Sequence, residues 1–177
     1  MLQTRVQQDE IDWEAVYWEQ MPRIYNFFRY RVADEALAED LTATTFEKAW
    51  KAREGYRRDL SAFSTWLFTI ARNTAADYFR QPRTEVPLDA APEMAVFGGR
   101  PVEEAVQHEG DLLRLALLLT DLNAREREII ALKYGAELTN RAIADLLRIS
   151  ESNVGTILHR VVQRLRTQWE EARIDEP

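Results

Sequence analysis

The 177-residue chain contains no cysteine. A disulfide framework, a thiolate metal site and a cysteine nucleophile are thereby excluded, and the lack fits a reducing compartment. Histidine is scarce: His108 and His159 stand far apart in the sequence, so metal chemistry lacks its usual nitrogen ligands. Long apolar runs are missing. The longest, LLRLALLL at Leu112 to Leu119, is interrupted by Arg114 and falls far short of the roughly 20 residues that cross a bilayer. The opening stretch MLQTRVQQDE has no apolar signal core, and a cytoplasmic location is expected. No Gly-rich phosphate loop, Walker motif or His-plus-nucleophile spacing is found, so the sequence offers no catalytic residue, no metal site and no cofactor, and it is read as a non-enzyme. An excess of basic charge is missing as well. With 23 Lys+Arg against 30 Asp+Glu the net charge is −7, which argues against tight binding of free DNA by overall charge.

What is present is hydrophobic and helical. The chain is 46% hydrophobic, with five Trp, six Tyr and seven Phe, enough for one large core or two small ones. Basic charge is local: residues 51–83 carry seven Lys and Arg against three Asp and Glu. Clustered cations can neutralise phosphates even on an acidic protein. Almost every periodic stretch has helical spacing and no alternating β-branched run appears, so the fold is expected to be all-α. Between Gln81 and Gly110 the pattern fails, with Pro82, Pro87, Pro92, Pro101 and the pair Gly98-Gly99. The expected organisation is two small helical domains, 1–82 and 111–177, joined by a flexible linker, 83–110.

In the first block an amphipathic helix is expected from Trp13 to Met21 and a second from Pro22, a residue that suits a first helical turn. Asp34 is placed to cap a third helix through Trp50, with Leu37, Leu41, Phe46 and Trp50 facing inward. Ser61 or Ser64 starts a fourth, in which Phe63, Trp66, Leu67, Ile70, Ala71, Thr74 and Tyr78 recur at helical spacing. Phe68 lies off that stripe and is read as a surface residue. In the second block Asn123 and Glu126 form a capping box, Gly135 closes the helix, and LTNRAIADLLRISESNVGTILHRVVQRL reads as a helix-turn-helix with Ser150 capping its second helix. The outer face of that helix carries Ser152, Asn153, Thr156, His159, Arg160, Gln163 and Arg164. Short polar groups near a helix N-terminus with arginines behind them suit a reader of the major groove.

Two further blocks are family-specific. AEDLTATTFEKAW (38–50) is similar to AEDLVQETFLRAW, and FSTWLFTIARNTAADYFR (63–80) to FRTWLYRIARNLAIDYLR, of the sigma-70 family of bacterial RNA polymerase initiation factors, in its extracytoplasmic-function (ECF) group. REREIIALKY and the helix-turn-helix follow in the family's order, and the resemblance covers nearly the whole chain. It implies a sigma factor that binds core RNA polymerase and directs promoter recognition and DNA opening, the alternative class being a stand-alone helix-turn-helix repressor. Docking on the polymerase would fall to Glu39, Asp40, Thr44 and Glu47. Recognition and melting of the −10 element would fall to Tyr56, Arg57, Arg58, Phe63, Trp66, Phe68, Arg72, Asn73 and Arg80. The −35 element would be read by Arg141, Ser152, Asn153, Thr156, His159, Arg160 and Arg164. The resemblance also implies an anti-sigma partner. Unstacking bases costs a few kcal/mol per step and aromatic faces return about 1 to 3 kcal/mol per base, which independently favours the Tyr56 to Arg72 segment for opening. The chain departs from the family at Thr42, Ala43 and Thr44, where V-Q-E is common, at Gly155 and Ile157, where Lys and Arg are frequent, and at Arg148, where Gly is frequent.

Overall fold

A computed structural model describes residues 12–32, 34–80, 114, 115 and 117–174. The expected linker, 83–110, lies outside them. The described residues form helices and turns with no strand. In chain order the elements are α1 (Trp13–Arg29), α2 (Glu35–Ala52), a 3₁₀ turn (Arg53–Gly55), α3 (Phe63–Arg80), α4 (Ala124–Ile130), a π turn (Ala131–Gly135), α5 (Asn140–Leu147) and α6 (Glu151–Ile174).

Local chemistry starts the first two helices. Asp12 accepts the Glu14 and Ala15 N–H groups, and Asp34 accepts that of Leu37 at 2.9 Å, supplying partners that the first turn lacks. The structure corrects two expectations in this block. Residues 13–29 are one helix: Pro22 sits inside α1 on its exposed side, where water can take the carbonyl bond that the missing N–H leaves open. Trp50 faces outward and is 51% exposed. The buried stripe of α2 keeps Leu41 and adds Ala38, Thr42, Thr45 and Ala49, four small side chains that let neighbouring helices come close. The two threonine hydroxyls are satisfied by donating to the Ala38 and Leu41 carbonyls. Trp50 lies along the surface, 5.5 Å from the Trp13 ring, with the Arg53 guanidinium over its face at 4.1 Å.

In the second block the capping box is formed in both directions. Asn123 Oδ1 accepts the Glu126 N–H at 3.0 Å, and Glu126 Oε2 accepts the Asn123 N–H at 3.3 Å. Helix α4 then widens into the π turn, closed by the Ala136 N–H on the Ala131 carbonyl at 2.9 Å. Gly135 belongs there for a reason besides termination. A Cβ at this position would lie 2.8 Å from the Asn26 carbonyl oxygen of α1, so backbone meets backbone where the two blocks pack.

Helices α5 and α6 make the helix-turn-helix. Thr139 caps α5 on the Ala142 N–H and Ser150 caps α6 on the Asn153 N–H at 3.2 Å. Between them Arg148 adopts the left-handed conformation, φ 55° and ψ 49°, with the Ile149 N–H donating to the Ala144 carbonyl at 3.0 Å, the closure of a Schellman motif. Ile143, Val154, Leu158 and Val161 fill the interior, and Ile157 is buried with them. Ile157 is therefore core, whatever stands there in relatives.

A left-handed residue with a Cβ is disfavoured by about 1 kcal/mol relative to glycine. Arg148→Gly is expected to raise the melting temperature by about 2–4 °C, measured by calorimetry or circular dichroism.

Candidate nucleic-acid interface

Three surfaces hold the residues that the sequence singles out. On the first, the turn after Gly55 and the start of α3 bring Tyr56, Phe63 and Trp66 together. Their ring centroids are 5.1 to 5.3 Å apart, and Trp13 joins from α1 at 5.7 Å from Phe63 and 6.3 Å from Trp66. All are half-buried. The Tyr56 hydroxyl donates to the Ser61 carbonyl at 3.0 Å and so braces the loop. At the loop apex Arg57 grips Asp59 with two bonds of 2.9 and 2.7 Å, which holds the Asp59 carboxyl below its usual range. Such an exposed pair is worth little, and the guanidinium can exchange it for a phosphate. Arg58 is exposed and, with Phe63, Ser64, Val16, Glu19, Gln20 and Arg23, lines an open cleft of about 290 Å³. Asn73 and Arg80 are exposed, Arg80 with a 3.4 Å contact to Asp77.

Two members of the predicted set lie elsewhere. Phe68 is fully buried, 5.9 Å from Phe27 and beneath the Arg23 guanidinium, which corrects its reading as a surface residue. Helix α3 is covered on a second side by the other block, so its buried face, Leu67, Phe68, Ala71, Thr74 and Ala75, is rotated from the stripe expected for a helix packed on one side. Arg72 lies on the same side. Its Nε donates to Glu128 at 2.9 Å and its Nη1 to the Leu146 carbonyl at 2.9 Å.

The second surface is the outer face of α6. Ser152, Asn153, Thr156, His159 and Arg160 are exposed along it, and Arg141 projects beside it from α5, 3.8 Å from Glu151. Arg164 is half-buried and donates to Glu126 at 2.7 Å, while Arg160 reaches the same carboxylate at 3.5 Å and stays 65% exposed. Glu126 is buried. The bond from Arg164 holds its carboxyl below the ordinary glutamate value, against the opposing effect of burial. The capping box shows in the sequence; this anchoring of α6 does not, because the ion pair spans 38 positions.

The third surface is the outer face of α2. Glu39, Asp40 and Glu47 are exposed there and Thr44 sits half-buried at its edge. Glu47 accepts a bond from Lys51, one turn on, which lowers its carboxyl pKa. Ala43 is exposed but Thr42 is in the core, so two of the three departures in this stretch fall on the outer side of the helix.

The comparisons agree with this geometry. Residues 17–84 match the model of sigma-70 region 2, and residues 118–167 that of sigma-70 region 4. The chain is 30% identical over 167 residues to the ECF RNA polymerase sigma factor SigM of Bacillus subtilis, covering 92% of this chain and 98% of that protein. It is 29% identical over 160 residues to the ECF RNA polymerase sigma factor SigL of Mycobacterium tuberculosis, covering 89% and 88%. Among solved structures it is similar in fold to the sigma factor RpoE of Bartonella quintana in complex with the anti-sigma factor NepR. There the TM-score is 0.67, with 21% identity and coverage of 90% and 97%. The fold is also similar to that of CnrH in complex with the cytosolic domain of CnrY, TM-score 0.61 at 21% identity, covering 89% and 84%.

Two measurements test the second surface. Because the folded-state pKa of Glu126 is depressed, its ion pair contributes fully above the ordinary glutamate value and is lost as pH falls through the lower folded value. Glu126→Gln keeps the capping box and loses the pair. It should destabilise the chain by about 1–2 kcal/mol at pH 7, with the gap from wild type closing below about pH 4 in denaturant titrations. Gly155, one turn into α6, leaves room for a side chain: the nearest atom to where a Cβ would stand is the Asn140 amide nitrogen, at 3.9 Å. Gly155→Lys should add up to about 1 kcal/mol of stability and steepen the salt dependence of duplex binding by close to one ion.

Proposed function

The chain belongs to the ECF group of the sigma-70 family of RNA polymerase initiation factors, and from that membership we propose how its surfaces divide the work. As a sigma factor it binds core RNA polymerase and directs promoter recognition. The observation that carries the division is the order of two modules in one chain: an aromatic cluster beside a cationic loop, then a helix-turn-helix with a polar outer face.

In this reading residues 1–82 dock on the polymerase and open the −10 element, 83–110 connect, and 111–177 read the −35 element. The exposed carboxylates Glu39, Asp40 and Glu47, with Thr44 at their edge, form the docking stripe. Tyr56, Phe63 and Trp66 offer rings to unstacked bases while Arg57, Arg58, Asn73 and Arg80 follow the backbone. Ser152, Asn153 and Thr156 lie where a reading helix meets base edges, with His159, Arg160 and Arg141 placed for phosphates. Arg164 serves first to anchor α6 on Glu126. The protein works in the cytoplasm on polymerase and promoter, performs no chemistry of its own and needs no cofactor. An anti-sigma protein is its expected partner, a reading in line with the similarly folded sigma factor RpoE, which is seen in complex with the anti-sigma factor NepR. Among the described residues no helix is long and apolar enough to cross a membrane.

The decisive experiment is a gel shift with and without core enzyme. Specific promoter binding is expected only with core, and tight two-fold symmetric binding by the isolated chain would overturn the reading. On the core complex, Tyr56→Ala should spare polymerase binding and reduce permanganate reactivity of unpaired thymines several-fold. A template with a pre-melted bubble should restore it, because the unstacking cost is already met.

A further inference from the structure

Helix α5 delivers its first two residues to consecutive turns of α6. Arg141 Nε lies 3.8 Å from a carboxylate oxygen of Glu151, and Asn140 Nδ2 lies 3.9 Å from the place where a Cβ on Gly155 would stand. Glu151 and Gly155 are four positions apart and therefore stacked on one side of α6. At about 100° per residue, the exposed Ser152, Thr156 and His159 fall between two edges of the outer face, one marked by Asn153 and the other by Gly155. At the second edge α6 supplies no side chain. The group beside that gap is the carboxamide of Asn140, and its hydrogen bonding is incomplete. Its Oδ1 is buried and has no hydrogen-bond partner among the described residues, although the residue as a whole is only half-buried. An acceptor held in this way is destabilised, so a rotation of the amide that brings the oxygen to a donor outside the chain is favourable. The adjacent hydroxyl is engaged: Thr156 has given its one proton to the Ser152 carbonyl at 3.0 Å.

We propose that Asn140 is a specificity-determining residue of the −35 interface, reading an adenine across the gap that Gly155 leaves. The inference rests on the assignment of α6 to the −35 element. In the major groove adenine presents N7 as an acceptor and its N6 amino group as a donor, and a carboxamide answers both at once, its nitrogen donating to N7 and its oxygen accepting from N6. The other candidates satisfy only half of the amide. A phosphate takes the N–H but offers the oxygen no donor. Guanine presents two acceptors, O6 and N7, thymine presents the acceptor O4, and cytosine presents a donor alone. Adenine is the base whose edge supplies the donor that Oδ1 lacks while keeping an acceptor for Nδ2. Glycine at 155 makes the approach possible. A long side chain there takes the space the amide needs, so the residue at 155 and the reach of Asn140 are coupled. Arg141, exposed at the next position of α5, is placed to meet the backbone beside the base, which fixes register without reading sequence.

The test uses the full chain assembled with core RNA polymerase and a pool of DNA duplexes randomised over the −35 and −10 elements, sequenced after selection of bound complexes. The wild type should prefer adenine at one −35 position. Asn140→Ala should lower that preference about five-fold or more, the effect of losing one bidentate base contact, and leave the other −35 positions and the −10 element as they were. Asn140→Asp keeps a short polar group at the start of α5 but presents acceptors only, so the preference at that position should move to cytosine, whose N4 amino group donates. Gly155→Lys should remove the adenine preference with Asn140 still in place, and adding Asn140→Ala to it should change the profile no further. An unchanged −35 profile in both Asn140 variants overturns the proposal. So does a loss spread evenly over the −35 positions in both, at unchanged melting temperature and with −10 selection intact, which is the mark of a phosphate contact. A wild type that selects no base at −35 overturns the promoter reading together with this inference, whereas a selective wild type whose profile is insensitive to Asn140 overturns this inference alone.

Discussion

A helix of seven residues, α4, fixes where three neighbours stand. Successive residues of a helix point about 100° apart, and positions 126, 127 and 128 use that rotation to send three charges in three directions. Glu126 turns to α6 and holds Arg164 and Arg160. Arg127 turns back and donates to the carbonyls of Leu119, Thr120 and Leu122, tying down the chain that leads into the helix. Glu128 turns to the first block and gathers Arg31 and Arg72. Meanwhile Ile129 and Ile130 enter the core. So short a helix would be marginal alone; here its capping box and its three ion-paired or hydrogen-bonded neighbours define it.

The features legible in the sequence are those whose physics is local. Caps at Asp34, Asn123 and Ser150 need only a side chain and the N–H groups two or three residues on. The left-handed turn at Arg148 is what the resemblance implies, since glycine is frequent there in the family, and the helix-turn-helix follows from apolar spacing within a single stretch. The all-α class follows for the same reason. Features that depend on a second element were not legible. Pro22 reads as a helix start because nothing nearby shows that its side of α1 faces water. Phe68 reads as exposed because the period of α3 describes one buried face, whereas the fold covers two. Arg72 reads as a free cation because Glu128 is 56 positions away.

The same distinction separates the aromatic cluster from a set of waiting base-stacking platforms. Tyr56, Phe63, Trp66 and Trp13 lie with ring centroids 5.1 to 6.3 Å apart in edge-to-face and tilted pairs, arrangements that the ring quadrupole favours, worth about 0.5–1.5 kcal/mol per pair. A base arriving at this surface therefore exchanges ring contacts as well as gaining them. Exchange is cheapest at the edge of the cluster, where Trp50 is already half exposed and Tyr56 hangs from a loop braced by one hydroxyl bond. Phe68 contributes differently, as the floor beneath Arg23 that keeps α3 level with α1.

Pairing within the chain limits how freely its cations can meet another anion. Several of its cations near the candidate surfaces are held by an internal acceptor: Arg57 by Asp59, Arg80 by Asp77, Arg141 by Glu151, Arg72 by Glu128, Arg164 by Glu126. The exposed pairs are weak and screened by salt, so a phosphate displaces the carboxylate at little cost. The shielded ones at Glu126 and Glu128 resist, since breaking either leaves a charge in a poorly solvated place. The chain thus carries two grades of arginine. One grade is weakly held and open to exchange with another anion, and the other can exchange only after the packing around it has moved, so the net charge of the sequence does not describe how available its cations are.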